Sequence, residues 1–237
     1  MLCHTAPPHH PGLADVDTWV LDLDNTLYPP ASGLADQLNA GIREYVGNYF
    51  GTDEAGARRI QAELIAAHGT TLRGLMTTEG IEAADYLAFE RRMDYSVLRP
   101  DPLLVDAIAA LPGRKFVYTN GSAYHAEQAL PRLGLADHFD DVFDILAGEL
   151  IPKPYPQSYQ RFVERFSIDP RRAAFFDDLA VNLTVPEELG MATVLVGGEA
   201  APGTAQYQEL APRRWRVWDL PAFLHSLTAP AVRPSTM

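Results

Sequence analysis

Two aspartates two positions apart close an apolar run in "VLDLDNTLYPP", residues 20–30. In an extended strand, side chains alternate between faces, so Asp22 and Asp24 share one face while Leu21 and Leu23 share the other. Two carboxylates about 4 Å apart repel by about 4 kcal/mol at an effective dielectric of about 20, so the pair calls for a cation or proton between them. The plainer alternative is that they end the strand and open a turn with Asn25. Other polar residues fall at the ends of other β-rich runs: Thr119 and Asn120 end "KFVYTN", Asp177 and Asp178 end "AAFFDD", and Lys153 follows "VFDIL" within "IPKPYP". Each alone has a turn or cap explanation, but together they point to one site on one sheet edge.

The residue types specify a chemistry. Asp22, Asp24, Asp177 and Asp178 form an oxygen-only set, without sulfur or imidazole, which suits a hard divalent ion such as Mg2+. A carboxylate beside that ion and a lysine stays ionised and available as a nucleophile, and Lys153 is the natural counter-ion. Thr119 and Asn120, followed by Gly121 and Ser122 at a strand-to-helix turn, offer a hydroxyl, an amide and backbone N–H groups to a phosphate. A nucleophile, a cation and an anion cradle are the parts phosphoryl transfer requires.

Positioning them takes a sheet. The runs 18–24, 115–120, 142–146, 173–178 and 192–197 are β-rich, and from the second onward helical patterns lie between them; this alternation predicts an α/β fold with a mostly parallel, Rossmann-like sheet. Such sheets bind ligands beyond the carboxyl ends of their strands. The interval 25–114 is far longer than one crossover helix needs, so residues 31–99 are read as an inserted helical cap. Leu34 to Phe50, Glu54 to His68 and Glu82 to Met93 carry helical apolar spacing, with "HGTTLRGLM" (68–76) as a polar loop bending toward the crevice. Asp101 as N-cap, Pro102 at the first helical position and Pro112-Gly113 as stop bring the chain back. The α/β core is then 15–30 with 100–225, between loose tails at 1–14 and 226–237. "RRWRVWDLPAFLHSL" predicts a last strand around Trp215, Val217 and Trp218 and a closing helix after Pro221, with Arg213, Arg214 and Arg216 as a solvated rim.

Composition narrows the partners. The 237 residues are 47% hydrophobic and 21% charged, ordinary for a globular protein, with a formal charge of −12. That charge argues against nucleic-acid polymers and anionic membranes, and leaves a small phosphorylated molecule met by local positive charge. Cys3 stands alone, excluding an internal disulfide and fitting a reducing compartment. The opening stretch lacks a secretory pattern and no run is long enough to span a bilayer, so a cytoplasmic location is expected. Cys3, His4, His9 and His10 imitate a metal site, but so Pro-rich an end reads as a tail.

In order, "DLDNTLY", "VYTNGS", "PKPYP" and "FFDDLAVN" resemble the four motifs of the haloacid dehalogenase superfamily of phosphohydrolases, and the insertion after the first corresponds to that superfamily's helical cap. The resemblance implies Asp22 as nucleophile, forming an aspartyl-phosphate, and Asp24 as general acid and base. It implies Thr119 and the Asn120 backbone on the phosphoryl oxygens and Lys153 bridging Asp22 and the phosphate. Mg2+ would be held by Asp22, the Asp24 backbone carbonyl and Asp178, with Asp177 and Asn182 close by. Two positions depart: Pro152 replaces the glycine common before the motif lysine, and Asn182 stands where many members have Asp. Asp24 separates phosphatases from dehalogenases, because a halide leaves without a proton and an alkoxide does not.

"DNTLY", the cap's "LRGLM", and "DD" with Asn182 are most similar to the pyrimidine 5'-nucleotidase branch. That resemblance implies a Mg2+-dependent 5'-nucleotidase acting on UMP and CMP. In the cap, Arg73 would meet phosphate or base, Thr70 or Thr71 a ring edge, and Tyr28 would stack on a base or pack under the cap. The alternatives are a phosphatase for a sugar phosphate or other small phosphomonoester, and a regulatory module that binds phosphate and metal without turnover. The last predicts a missing catalytic group, and none is missing.

Overall fold

The computed structural model describes residues 10–198 and 205–228. Among these, seven strands form one sheet: β1 (Thr18–Leu21), β2 (Arg114–Tyr118), β3 (Asp141–Phe143), β4 (Ala173–Asp177), β5 (Ala192–Val196), β6 (Tyr207–Ala211) and β7 (Arg214–Val217). Their spatial order is β3-β2-β1-β4-β5-β7-β6, and every pairing is parallel except β6 with β7. β1 is an interior strand, buried along its whole length, which is why Trp19, Val20 and Leu21 run on as apolar residues without alternation.

Alternate residues nevertheless feed different layers. Val20, Phe116, Tyr118 and Phe175 face one core, packed by α7 (Pro156–Phe166) and α8 (Thr184–Leu189). Leu21, Val117, Phe176 and Val194 face the other, under α5 (Pro102–Ala110), α6 (Ala123–Arg132) and α9 (Leu220–Thr228). The insertion after β1 holds α1 (Leu34–Phe50), α2 (Glu54–His68), α3 (Thr71–Glu79) and α4 (Ala83–Leu87), followed by short 3-10 turns. It buries a core of its own around Val46, Ala57, Leu64, Leu75 and Phe89. α5 starts as the sequence predicts, with the Asp101 side chain accepting from Leu103 N at 2.9 Å and Pro102 in the first turn.

Several expectations are corrected. β1 stops at Leu21, so Asp22 and Asp24 do not lie on a pleated strand; only the Asp22 N–H continues the ladder, to Phe176 O at 2.9 Å. A tight turn brings them together instead, with Leu27 N bonding Leu23 O at 3.0 Å and Asn25 at φ 61°. "HGTTLRGLM" is no loop: Gly69 (φ 83°) ends α2, and the Thr70 hydroxyl caps α3 by accepting from Arg73 N at 3.2 Å. Residues 1–9, with Cys3, His4 and His9, lie outside the described residues, but part of the expected N-terminal tail packs on the core. Among the described residues of that stretch His10 and Leu13 are buried, the His10 ring edge-on to Trp215 and Nε2 2.8 Å from Ser226 Oγ. The other tail starts later than expected, since α9 runs to Thr228. The arginine cluster is partly structural: Arg213 donates to Gly12 O and Arg171 O, and Arg214 pairs with Glu187 at 3.3 Å. No helix among the described residues is long and apolar enough to cross a membrane.

Candidate active site

β1, β2 and β4 are neighbours, so Asp22, Thr119 and Asp177 emerge side by side at the carboxyl edge of the sheet. Lys153, carried in by the loop after β3, completes the group. Its ammonium has three protons, and three acceptors take them: Asp22 Oδ1 at 2.7 Å, Asp177 Oδ2 at 2.6 Å and Tyr118 O at 3.0 Å. The side chain is buried, so no water shares this work. Burial pushes its pKa down, but the Asp177 and Asp22 carboxylates outweigh that and hold it above the ordinary lysine value. The sequence reading has Lys153 bridging Asp22 and a phosphate; here it bridges Asp22 and Asp177, and a phosphate oxygen would have to take over one of its protons.

Asp22 accepts on its second oxygen from Thr26 Oγ at 3.1 Å. Burial raises its pKa well above the ordinary range against the pull of Lys153, and the Asp177 and Asp24 charges add to the rise. Asp24 keeps a fifth of its side chain exposed. Its Oδ1 accepts from His125 Nε2 at 2.8 Å and from the Tyr28 hydroxyl, while Thr119 Oγ lies 3.5 Å from Oδ2. Burial pushes Asp24 up, yet His125 and the Tyr28 hydrogen bond bring the net shift below the ordinary value. One turn therefore holds two carboxylates in opposite environments.

Asp22, Asp177 and Asp178 each bring a carboxylate oxygen within 4.8 Å of the other two. Asp178 is pushed up to about 6, by burial first and then by the Asp177 charge. Asn25 donates to Asp178 at 3.3 Å while its own buried Oδ1 has no hydrogen-bond partner among the described residues. Three crowded carboxylates, of which Asp22 and Asp178 have raised pKa values, and a buried amide oxygen beside them, all hard donors, fit a divalent cation.

Asn120 and Asn182 are structural clamps on this group. Asn120 donates to Lys153 O at 3.2 Å and accepts from Lys153 N at 2.8 Å, which fixes the loop that Pro152 put in question. Asn182 donates to Asp177 Oδ1 at 2.8 Å. Gly121 N–H bonds Thr119 Oγ at 2.9 Å.

The cap residues divide. Arg73 lies over the ring of Tyr155, two residues beyond Lys153, its guanidinium 4.3 Å from the centroid. Thr71 is buried beside the Tyr86 hydroxyl, and the Tyr28 ring is buried in the core; as they stand, neither meets a base. Sequence reasoning missed Thr26, His125 and Tyr95. His125 carried a faint signal, a histidine in the first turn of an amphipathic helix that follows a phosphate-cradle motif. A cavity of about 900 Å3 opens on the far side of the Asn25–Tyr28 turn, toward Arg99 and Trp218, but neither Asp22 nor Lys153 lines it.

Phosphate metabolism protein 8 of Saccharomyces cerevisiae is 25% identical over 207 residues, covering 78% of this chain and 64% of that one; the chain thus spans less than two thirds of that relative. The HAD-hydrolase YfnB from Bacillus subtilis, in a magnesium-bound form, superposes with a TM-score of 0.55 at 18% identity, over 90% of this chain and 99% of that one. The HAD phosphatase from Thermococcus onnurineus gives 0.53 at 18% identity, over 80% and 91%. These two likenesses speak to the fold. A family model, the haloacid dehalogenase-like hydrolases, matches residues 16–190. The chain belongs to the haloacid dehalogenase-like hydrolase family.

Proposed function

We propose that the chain is a Mg2+-dependent phosphomonoesterase working through a phosphorylated Asp22, and that it hydrolyses pyrimidine nucleoside monophosphates such as UMP and CMP in the cytoplasm. The observation that carries the chemistry is the division of labour in one turn: Asp22 set against Lys153, and Asp24 held apart by His125 and Tyr28. Ester cleavage needs both a nucleophile and a proton source, whereas halide displacement needs only the first.

In this reading an Asp22 oxygen attacks phosphorus in line with the ester bond. That bond breaks as Asp24 gives its proton to the leaving oxygen, a proton it holds once the substrate's negative charge lies beside it. Asp24 then takes a proton from the water that attacks the phosphorylated Asp22, releasing phosphate and restoring the carboxylate. Thr119, the Asn120 backbone and Lys153 hold the phosphoryl oxygens. Mg2+, held by Asp22, Asp178 and the Asp24 carbonyl, would supply charge neutralisation of those oxygens.

For the substrate, support comes from the motif resemblance and from Arg73 beside the Lys153 loop. The relative named for phosphate metabolism favours phosphate chemistry. The burial of Thr71 and Tyr28 favours a second reading, a smaller phosphomonoester such as a sugar phosphate. A phosphate-release panel separates them. UMP and CMP hydrolysed well above AMP, GMP and hexose phosphates supports the first; equal rates across the panel overturn it. No release from any ester in the presence of Mg2+ overturns the phosphomonoesterase itself.

A further inference from the structure

His125 sits in the first turn of α6, fully buried, with no part in the motif chemistry. Its Nε2 lies 2.8 Å from Asp24 Oδ1 and its Nδ1 3.0 Å from the Tyr95 hydroxyl. An ionised carboxylate has no hydrogen to give, so Nε2 carries the proton of that bond. The Tyr28 hydroxyl donates to the same oxygen. Oδ1 is thus occupied twice, while among the described residues Oδ2 has only Thr119 Oγ at 3.5 Å, too long for a strong bond.

We infer that His125 is a positioning residue which, with Tyr28, pins Asp24 through Oδ1, so that Oδ2 is the oxygen that exchanges its proton with the departing alkoxide and then with the attacking water. The inference rests on the phosphomonoesterase reading and deepens it. An aspartate's terminal torsion is broad and nearly two-fold, so an unpinned carboxylate would swing its oxygens through many orientations. A general acid acts only within about 2.6–3.2 Å of its target atom. The pin is itself fixed. Ser122 caps α6 by accepting from His125 N at 3.2 Å and donates its own hydroxyl to Glu90, while Tyr95 holds the far side of the imidazole. Glu90 and Tyr95 both come from the segment returning from the cap, and no solvent reaches His125 to replace a lost bond.

The test compares two esters by kcat/KM, which stops at departure of the leaving group. An alkyl phosphate such as glycerol phosphate needs a proton at its leaving oxygen; 4-nitrophenyl phosphate does not. His125→Leu is expected to lower kcat/KM for the alkyl ester by about a hundredfold and for the nitrophenyl ester by no more than about fivefold, since general acid catalysis contributes 10²–10⁴-fold. His125→Gln, which keeps an N–H donor, is expected to recover most of the discrimination, and Tyr28→Phe to show the same pattern more weakly. The ratio of the two esters is taken within one preparation, so a partly folded variant still reports the dependence on leaving group. Equal losses on both esters, or no loss on either, overturn the inference while leaving the phosphomonoesterase standing. A wild-type protein that releases phosphate neither from these two esters nor from any nucleotide or sugar phosphate overturns that reading, and this one with it.

Discussion

Lys153 is the residue on which the resting site depends. Two buried carboxylates share its ammonium, and removing one partner of a buried ion pair leaves charge without compensation. Lys153→Met is therefore expected to destabilise the fold by about 3–5 kcal/mol at neutral pH. The sign of its pH dependence follows from Asp22, already raised by burial. Without the lysine, the folded state holds carboxyl protons that the unfolded chain releases, so the variant's stability falls as pH rises. Thermal unfolding should show the gap from wild type narrower at pH 5 than at pH 8; a gap that widens toward acid contradicts the pairing. Asp178, pushed up to about 6 from an ordinary 3.8, adds a second test. The metal-free protein keeps its proton between those values, and a cation must displace it. Stabilisation by a fixed Mg2+ concentration is expected to grow from pH 5 to pH 7.5, and a pH-independent thermal shift would remove Asp178 from the binding set.

Elements set what the sequence discloses. α1 and α2 are legible because each has a helical stripe and a chemical boundary, Gly51 (φ 63°) stopping the first and Asp53 capping the start of the second. α3 was hidden. Its "TTLRG" start sets Leu72 and Arg73 among the weak helix formers Thr70, Thr71 and Gly74, and what makes it a helix is the Thr70 cap and its packing on α2. Gly74 is the point of closest approach, where a Cβ would lie 2.7 Å from Leu64 Cδ2 and 2.8 Å from Leu64 Cβ. The glycine of the "LRGLM" motif is thus accounted for by helix packing. Gly74→Val is expected to destabilise the cap by about 1–3 kcal/mol. Hydrogen exchange should quicken in α3 amides while those of β1 hold. Equal loosening of both would mean that cap and sheet unfold as one unit.

For the whole molecule, the parallel sheet explains why distant motifs could be read as one site: its strand ends must lie along one edge. Hence Asp22, Thr119, Lys153 and Asp177 were predictable together from positions far apart in sequence. The pinning of Asp24 was not. It needs α6 to turn His125 inward and the cap's return segment to lay Tyr95 against it, and neither contact leaves a pattern within a single stretch of chain. Nor could periodicity place the end of β1, because "LDLD" alternates as a strand would while the backbone has already turned.

The central claim is that Asp22 carries the phosphoryl group. Acid-quenching the protein during turnover of a phosphomonoester with Mg2+, followed by peptide mapping, is expected to find one phosphoryl group on the peptide containing Asp22. Label and turnover should both vanish in Asp22→Asn. Label on another residue, or an Asp22→Asn protein that releases phosphate at the wild-type rate, contradicts the account.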